Sequence, residues 1–144
     1  MPLGIAINFT RATQTGQLPS SANSVVITIT DSTGFTDTRT LNRPTSTTQT
    51  EVIAQFLALA GGKATINAIA YSGPNGTGEV IGQASAVITL LPSGTATPEL
   101  TFIGIYSHLV AEDANNNPIT GGVTVDADTT VQLHAQGYTA SNLL

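Results

Sequence analysis

The chain has 144 residues, of which 9% are charged and 5% aromatic, with a net charge of -5 and neither cysteine nor tryptophan. The lack of cysteine excludes disulfide frameworks, thiolate metal sites and cysteine nucleophiles, and the lack of any Lys or Arg run leaves no electrostatic footing for nucleic acid or an anionic membrane. With nine carboxylates, four basic side chains and two histidines there is little from which to assemble a catalytic site, so an enzyme is the least supported class.

Met1 to Phe9 carries no basic stretch and no apolar run long enough for a signal peptide, and no segment has the length of a membrane-spanning helix. The expectation is a mature or non-secreted form without membrane insertion. Leu3, Ile5, Ile7 and Phe9 nevertheless alternate with smaller or polar neighbours, as a strand does. Ser24 to Thr30 has period two, with Val25, Ile27 and Ile29 on one face, and Asp31-Ser32-Thr33-Gly34 then punctuates the chain. Phe35 to Asn42 reads as a polar edge strand ended by Arg43-Pro44, since proline donates nothing to a ladder.

Thr50 to Ala58 alternates again, with at most a brief helical turn over Leu57 to Gly62, and Lys63 to Tyr71 turns Ala64, Ile66, Ala68 and Ala70 inward. Ser72-Gly73-Pro74-Asn75-Gly76-Thr77-Gly78 is dense in residues that tolerate turn geometry, which predicts a hairpin returning along Val80 to Leu90. Further strands are expected at Pro98 to Phe102, Ile105 to Ala111 and Thr129 to Gln136, with a turn at Asn115 to Pro118. Phe9, Phe35, Phe56 and Phe102 read as core. Roughly eight to ten short strands with no helical periodicity predict an all-β fold, an antiparallel immunoglobulin-like β-sandwich of Greek-key type.

The runs Leu18 to Thr30, Leu41-Asn42-Arg43-Pro44, Gly62 to Tyr71 and Gly82 to Thr89 resemble immunoglobulin-like modules of bacterial surface proteins. Asp113-Ala114-Asn115-Asn116-Asn117-Pro118-Ile119 and Asp128 to Tyr138 resemble the Ig-like repeats of intimin- and invasin-type adhesins. The resemblance implies a cell-surface or extracellular location. It divides the chain into a sandwich over 1–103 and additional strands over 104–144, which are too few for a second complete domain of about 100 residues. Those strands complete the first sandwich, begin a second module or pair with a neighbouring subunit. For the last case the assembly strands are Leu3, Ile5, Ile7 and Phe9 at one end and Val131, Leu133 and Ala135 at the other, joined by donated main-chain hydrogen bonds.

Asp113, Asn115 and Asn117 have the oxygen-ligand spacing of a calcium loop, but Pro118 stands where such a loop needs Gly and Thr124 where it needs a bidentate Glu. A plain turn is the favoured reading. Asp126 and Asp128 extend the Ca²⁺ candidates to an irregular site between modules, tested by whether EDTA shifts the melting temperature. His108 and His134 lack a third ligand, and a pilin-type isopeptide bond would have to use the only lysine, Lys63, at a strand entrance where a cation normally reaches water. No nucleophile elbow, carboxylate pair or phosphate-cradling loop stands out. Asn75-Gly76-Thr77 in the turn and Asn8-Phe9-Thr10 match an N-glycosylation pattern that a Thr-rich chain produces by chance.

The resemblance, together with the charge-poor, Thr-rich β composition, therefore implies a non-catalytic structural module of a bacterial surface or extracellular assembly, self-associating or joined to neighbouring domains. A glycan- or protein-binding adhesin module and a virion decoration or tail domain are the alternatives.

Overall fold

The computed structural model describes residues 2–9, 18–46, 48–91, 98, 100–105, 108–121 and 132–138. The described residues are mostly β-strand, arranged in antiparallel sheets. The chain divides into two compact units, Met1–Ile105 and Tyr106–Leu144.

In the first unit, β1 (Leu3–Asn8) pairs with β4 (Glu51–Phe56), Ile5 lying opposite Ala54. A five-stranded sheet runs in the order β3 (Thr36–Asn42), β2 (Ser24–Thr30), β5 (Gly62–Tyr71), β6 (Val80–Leu90) and β7 (Ile103–Gly104). Period-two patterning explains both sheets. Leu3, Ile5, Ile7, Ala54 and Phe56 are buried on one, and Val25, Ile27, Ile29, Ala64, Ile66, Ala68, Ala70, Ile81 and Ala84 on the other. The core is aliphatic, with Phe9, Phe56 and Phe102 as its large rings.

On the outward side of β2 and β3 the cross-strand neighbours include paired hydroxyls. Thr28 and Thr38 approach to 3.1 Å and Thr30 and Thr36 to 3.3 Å, cross-strand pairs that hold their rotamers. The edge strand β3 turns Asp37 and Arg39 toward the core side, where they form an ion pair. Arg39 lies 5.4 Å above the Phe56 ring and its Nε donates to the Gln55 carbonyl at 3.1 Å. A charge at this position blunts the edge against unwanted strand pairing.

Several boundaries differ from the sequence expectation. Phe35 is 47% exposed because it belongs to the turn: Asp31 N donates to its carbonyl at 2.9 Å, and its own N donates to the Asp31 carboxylate, outside the strand alternation. Leu57 to Gly61 forms bends, not a helical turn. Of the strand expected over Pro98 to Phe102, the described residues show a bridge at Phe102, and the ladder of β7 with β6 runs over Ile103 and Gly104. Ile105 N donates to Ile81 O at 3.0 Å and so belongs to the first unit.

The second unit is built on β8 (His108–Glu112) paired antiparallel with β9 (His134–Tyr138). A tight hairpin closes at Asp113–Asn117, where Asn116 has φ 61, and Ile119 N donates to Ala111 O at 2.9 Å. Glu112 is buried and accepts the Tyr138 hydroxyl proton at 2.9 Å. That bond, with burial and the Glu112 charge, raises the phenol above its ordinary pKa.

Candidate functional site

The assembly strands expected from the sequence occupy contrasting environments. Leu3, Ile5, Ile7 and Phe9 are each no more than 3% exposed, and β1 is engaged with β4 along its six residues. Phe9 N extends the ladder by donating to Thr50 O at 2.8 Å. In the second unit Ala135 pairs with Ala111 and is exposed, as is Leu133, while Val131 lies outside the described residues.

The calcium candidates show a self-satisfied turn. Asp113 Oδ1 accepts from Asn115 N at 2.8 Å and Asn117 N at 2.9 Å, and Asn117 Nδ2 lies 3.1 Å from Oδ2. These donors, Asn117 N first, hold the Asp113 carboxyl below its usual range. Asn117 thus turns its side-chain NH₂ rather than its oxygen toward Asp113, and Asp126 and Asp128 lie outside the described residues. Among the described residues no group of three or more His, Cys, Asp and Glu side chains could hold a metal ion. His108 is opposite Tyr138 and His134 opposite Glu112, so the two histidines stand at opposite ends of the β8–β9 ladder. Lys63 is exposed opposite Thr89, not buried beside a carboxylic acid as an isopeptide bond requires.

Three polar centres that sequence reasoning did not single out organise the first unit. At one end of the sheet, Asp31 is 6% exposed and accepts from Thr33 N at 2.9 Å, Thr33 Oγ1 at 2.7 Å, Phe35 N at 3.1 Å and Ala60 N at 2.8 Å. The Ala60 bond, then the Thr33 hydroxyl, lead the causes that lower its pKa to about 2. The local Asp-x-Thr turn was legible in the sequence, but the Ala60 partner was not.

At the opposite end Arg43 donates to the carbonyls of Phe9, Ala22 (2.7 Å) and Ser20 (2.9 Å), with its guanidinium 5.3 Å from the Phe9 ring. Beside it the β5–β6 loop is strapped across β2 and β3. Asn42 Nδ2 donates to Asn75 Oδ1, and Asn75 N returns a bond to Asn42 Oδ1, both at 2.7 Å. Ser24 Oγ donates to Gly73 O at 2.6 Å and accepts from Gly76 N at 2.9 Å, while Asn23 Nδ2 reaches Ser72 O at 2.7 Å. Asn75 and Gly76 both have positive φ, 56 and 71.

The amides and hydroxyls of this end are thus engaged in fixing the loop against β2 and β3. No family model matches the chain, and neither the curated proteins nor the solved structures provide a match.

Proposed function

We propose that the chain is a non-catalytic structural module of a bacterial cell-surface or extracellular assembly, built on an immunoglobulin-like sandwich. The observation carrying this reading is strand order. With β1 and β4 as strands B and E, and β2, β5 and β6 as C, F and G, the pairings β1-β4 and β2-β5-β6 follow the two-sheet Ig-like plan, and β3 adds beside C. Three connections, β1 to β2, β3 to β4 and β4 to β5, cross between the two sheets, while β2–β3, β5–β6 and β6–β7 stay within the five-stranded one. The charge-poor surface and the resemblance of Gly62 to Tyr71 and Asp113 to Ile119 to bacterial surface modules support the same reading.

Within it, self-association by strand exchange through β1 requires release of its pairing to β4, so a spacer whose first strand stays at home is the simpler arrangement. The fixed Ser72–Gly78 loop favours a second reading, an adhesin module that binds a glycan or protein there. Fractionation of the producing cells, with light scattering and negative-stain microscopy of the purified chain, tests the proposal. Surface or extracellular recovery with a monomer near 14.7 kDa is expected for a spacer, and ordered filaments for a strand-exchanged fibre. A chain confined to the cytosol overturns the surface assignment.

A further inference from the structure

We infer that Asn75–Gly76 is a deamidation site that the native fold holds closed, with Ser24 and Asn42 as its latch; the inference goes beyond the structural-module reading and does not depend on it. Asparagine followed by glycine is chemically vulnerable because the following backbone nitrogen meets no side chain when it attacks the amide. Here the glycine is not replaceable. A Cβ at position 76 would come within 2.7 Å of Val26 Cγ2, and φ is +71. The fold therefore keeps the susceptible pair and must protect it by geometry.

The reaction begins when Gly76 N attacks Asn75 Cγ. A C–N bond forms, Gly76 N loses its proton, and the Asn75 side-chain nitrogen leaves as ammonia. Water then opens the cyclic imide at either carbonyl, giving Asp or isoAsp at position 75 and one added negative charge. Ring closure requires Gly76 N to swing to the same side of the Asn75 Cα–C bond as Cβ.

At φ 56 and ψ 32 it lies nearly opposite Cβ, far from Cγ. The swing cannot occur while Gly76 N donates to Ser24 Oγ at 2.9 Å. Asn42 holds the other half of the geometry, fixing the Asn75 backbone through Asn75 N and the electrophilic amide through Asn75 Oδ1. Ser24 is itself buried at 0% exposure and anchored by its bond to Gly73 O, so the latch is set by the start of β2 rather than by the loop alone. Local opening of the loop, not solvent exposure of Asn75, then sets the rate.

Peptide mapping by mass spectrometry after incubation at mildly alkaline pH tests this on the full chain, native and in guanidinium chloride at the same pH and temperature. Conversion at Asn75 is expected to be at least about tenfold slower in the native chain. Ser24→Ala and Asn42→Ala, each checked by circular dichroism to be folded, are expected to accelerate it severalfold under native conditions. Asn42 is exposed at the end of the edge strand, so that variant keeps the test open even where Ser24→Ala fails to fold. Equal rates in the native and denatured chains, or folded variants that react no faster than the parent, overturn the inference.

Discussion

Replacing Arg43 with Ala is expected to lower unfolding free energy by roughly 3 kcal/mol, a large share of the ~5–15 kcal/mol that a domain of this kind has. The side chain donates to three carbonyls, those of Phe9, Ser20 and Ala22, and stacks on the Phe9 ring. It ties the end of β1 to the segment leading into β2, so truncation leaves part-buried carbonyls to find water while opening a gap over Phe9. Bonds from a charged donor are worth about 1.5–3 kcal/mol each, and partial exposure of the site brings the sum down. Lysine retains the charge but cannot span three acceptors with one ammonium, so Arg43→Lys is expected to recover less than half of the loss. Urea unfolding with an unchanged m-value measures both variants. A loss below about 1 kcal/mol for Arg43→Ala would show that solvent replaces the guanidinium without cost.

Asp31 is expected to dominate the acid response of the first unit. Its folded pKa is about 2, below the ordinary 3.8, because Ala60 N and the Thr33 hydroxyl lead the donors to its charged form. A depressed carboxylate stabilises the fold fully above the unfolded value, and that contribution is lost as pH falls from about 4 toward 2. Thermal melts are therefore expected to show the parent chain losing stability across this interval. Asp31→Asn, which offers a neutral acceptor and brings an amide N–H₂ among groups that already donate, is expected to melt several degrees lower at pH 7 and to show a much flatter acid limb. Parallel acid limbs in the two proteins would exclude Asp31 as the responsible carboxylate.

The alternating residues made the strands legible and left their partners illegible. Val25, Ile27 and Ile29, like Ala64, Ile66, Ala68 and Ala70, announce their buried face in the sequence, and the glycines of Ser72–Gly78 announce the reversal between β5 and β6. Nothing local pairs β1 with β4, because period two fixes a face but not a neighbour. Phe35 misled because hydrophobicity alone does not separate a turn residue from the first residue of a strand. The Asp31 turn was readable through Thr33, whereas Arg43 was not, since its acceptors lie 21 to 34 residues away along the chain. Asn42 and Ser24 belong to the same class: their partner is a loop that comes 33 and 52 residues later.

The pairing of β1 with β4 also sets an order in time. During synthesis Leu3 to Phe9 emerges well before its partner strand, and pairing can begin only once Glu51, opposite Asn8, has been made. For that interval the newborn chain carries a naked apolar stripe that β2 and β3, which form their own local hairpin, do not hydrogen-bond. The length of chain between β1 and β4 thus sets how long the apolar face of the first strand waits for its partner.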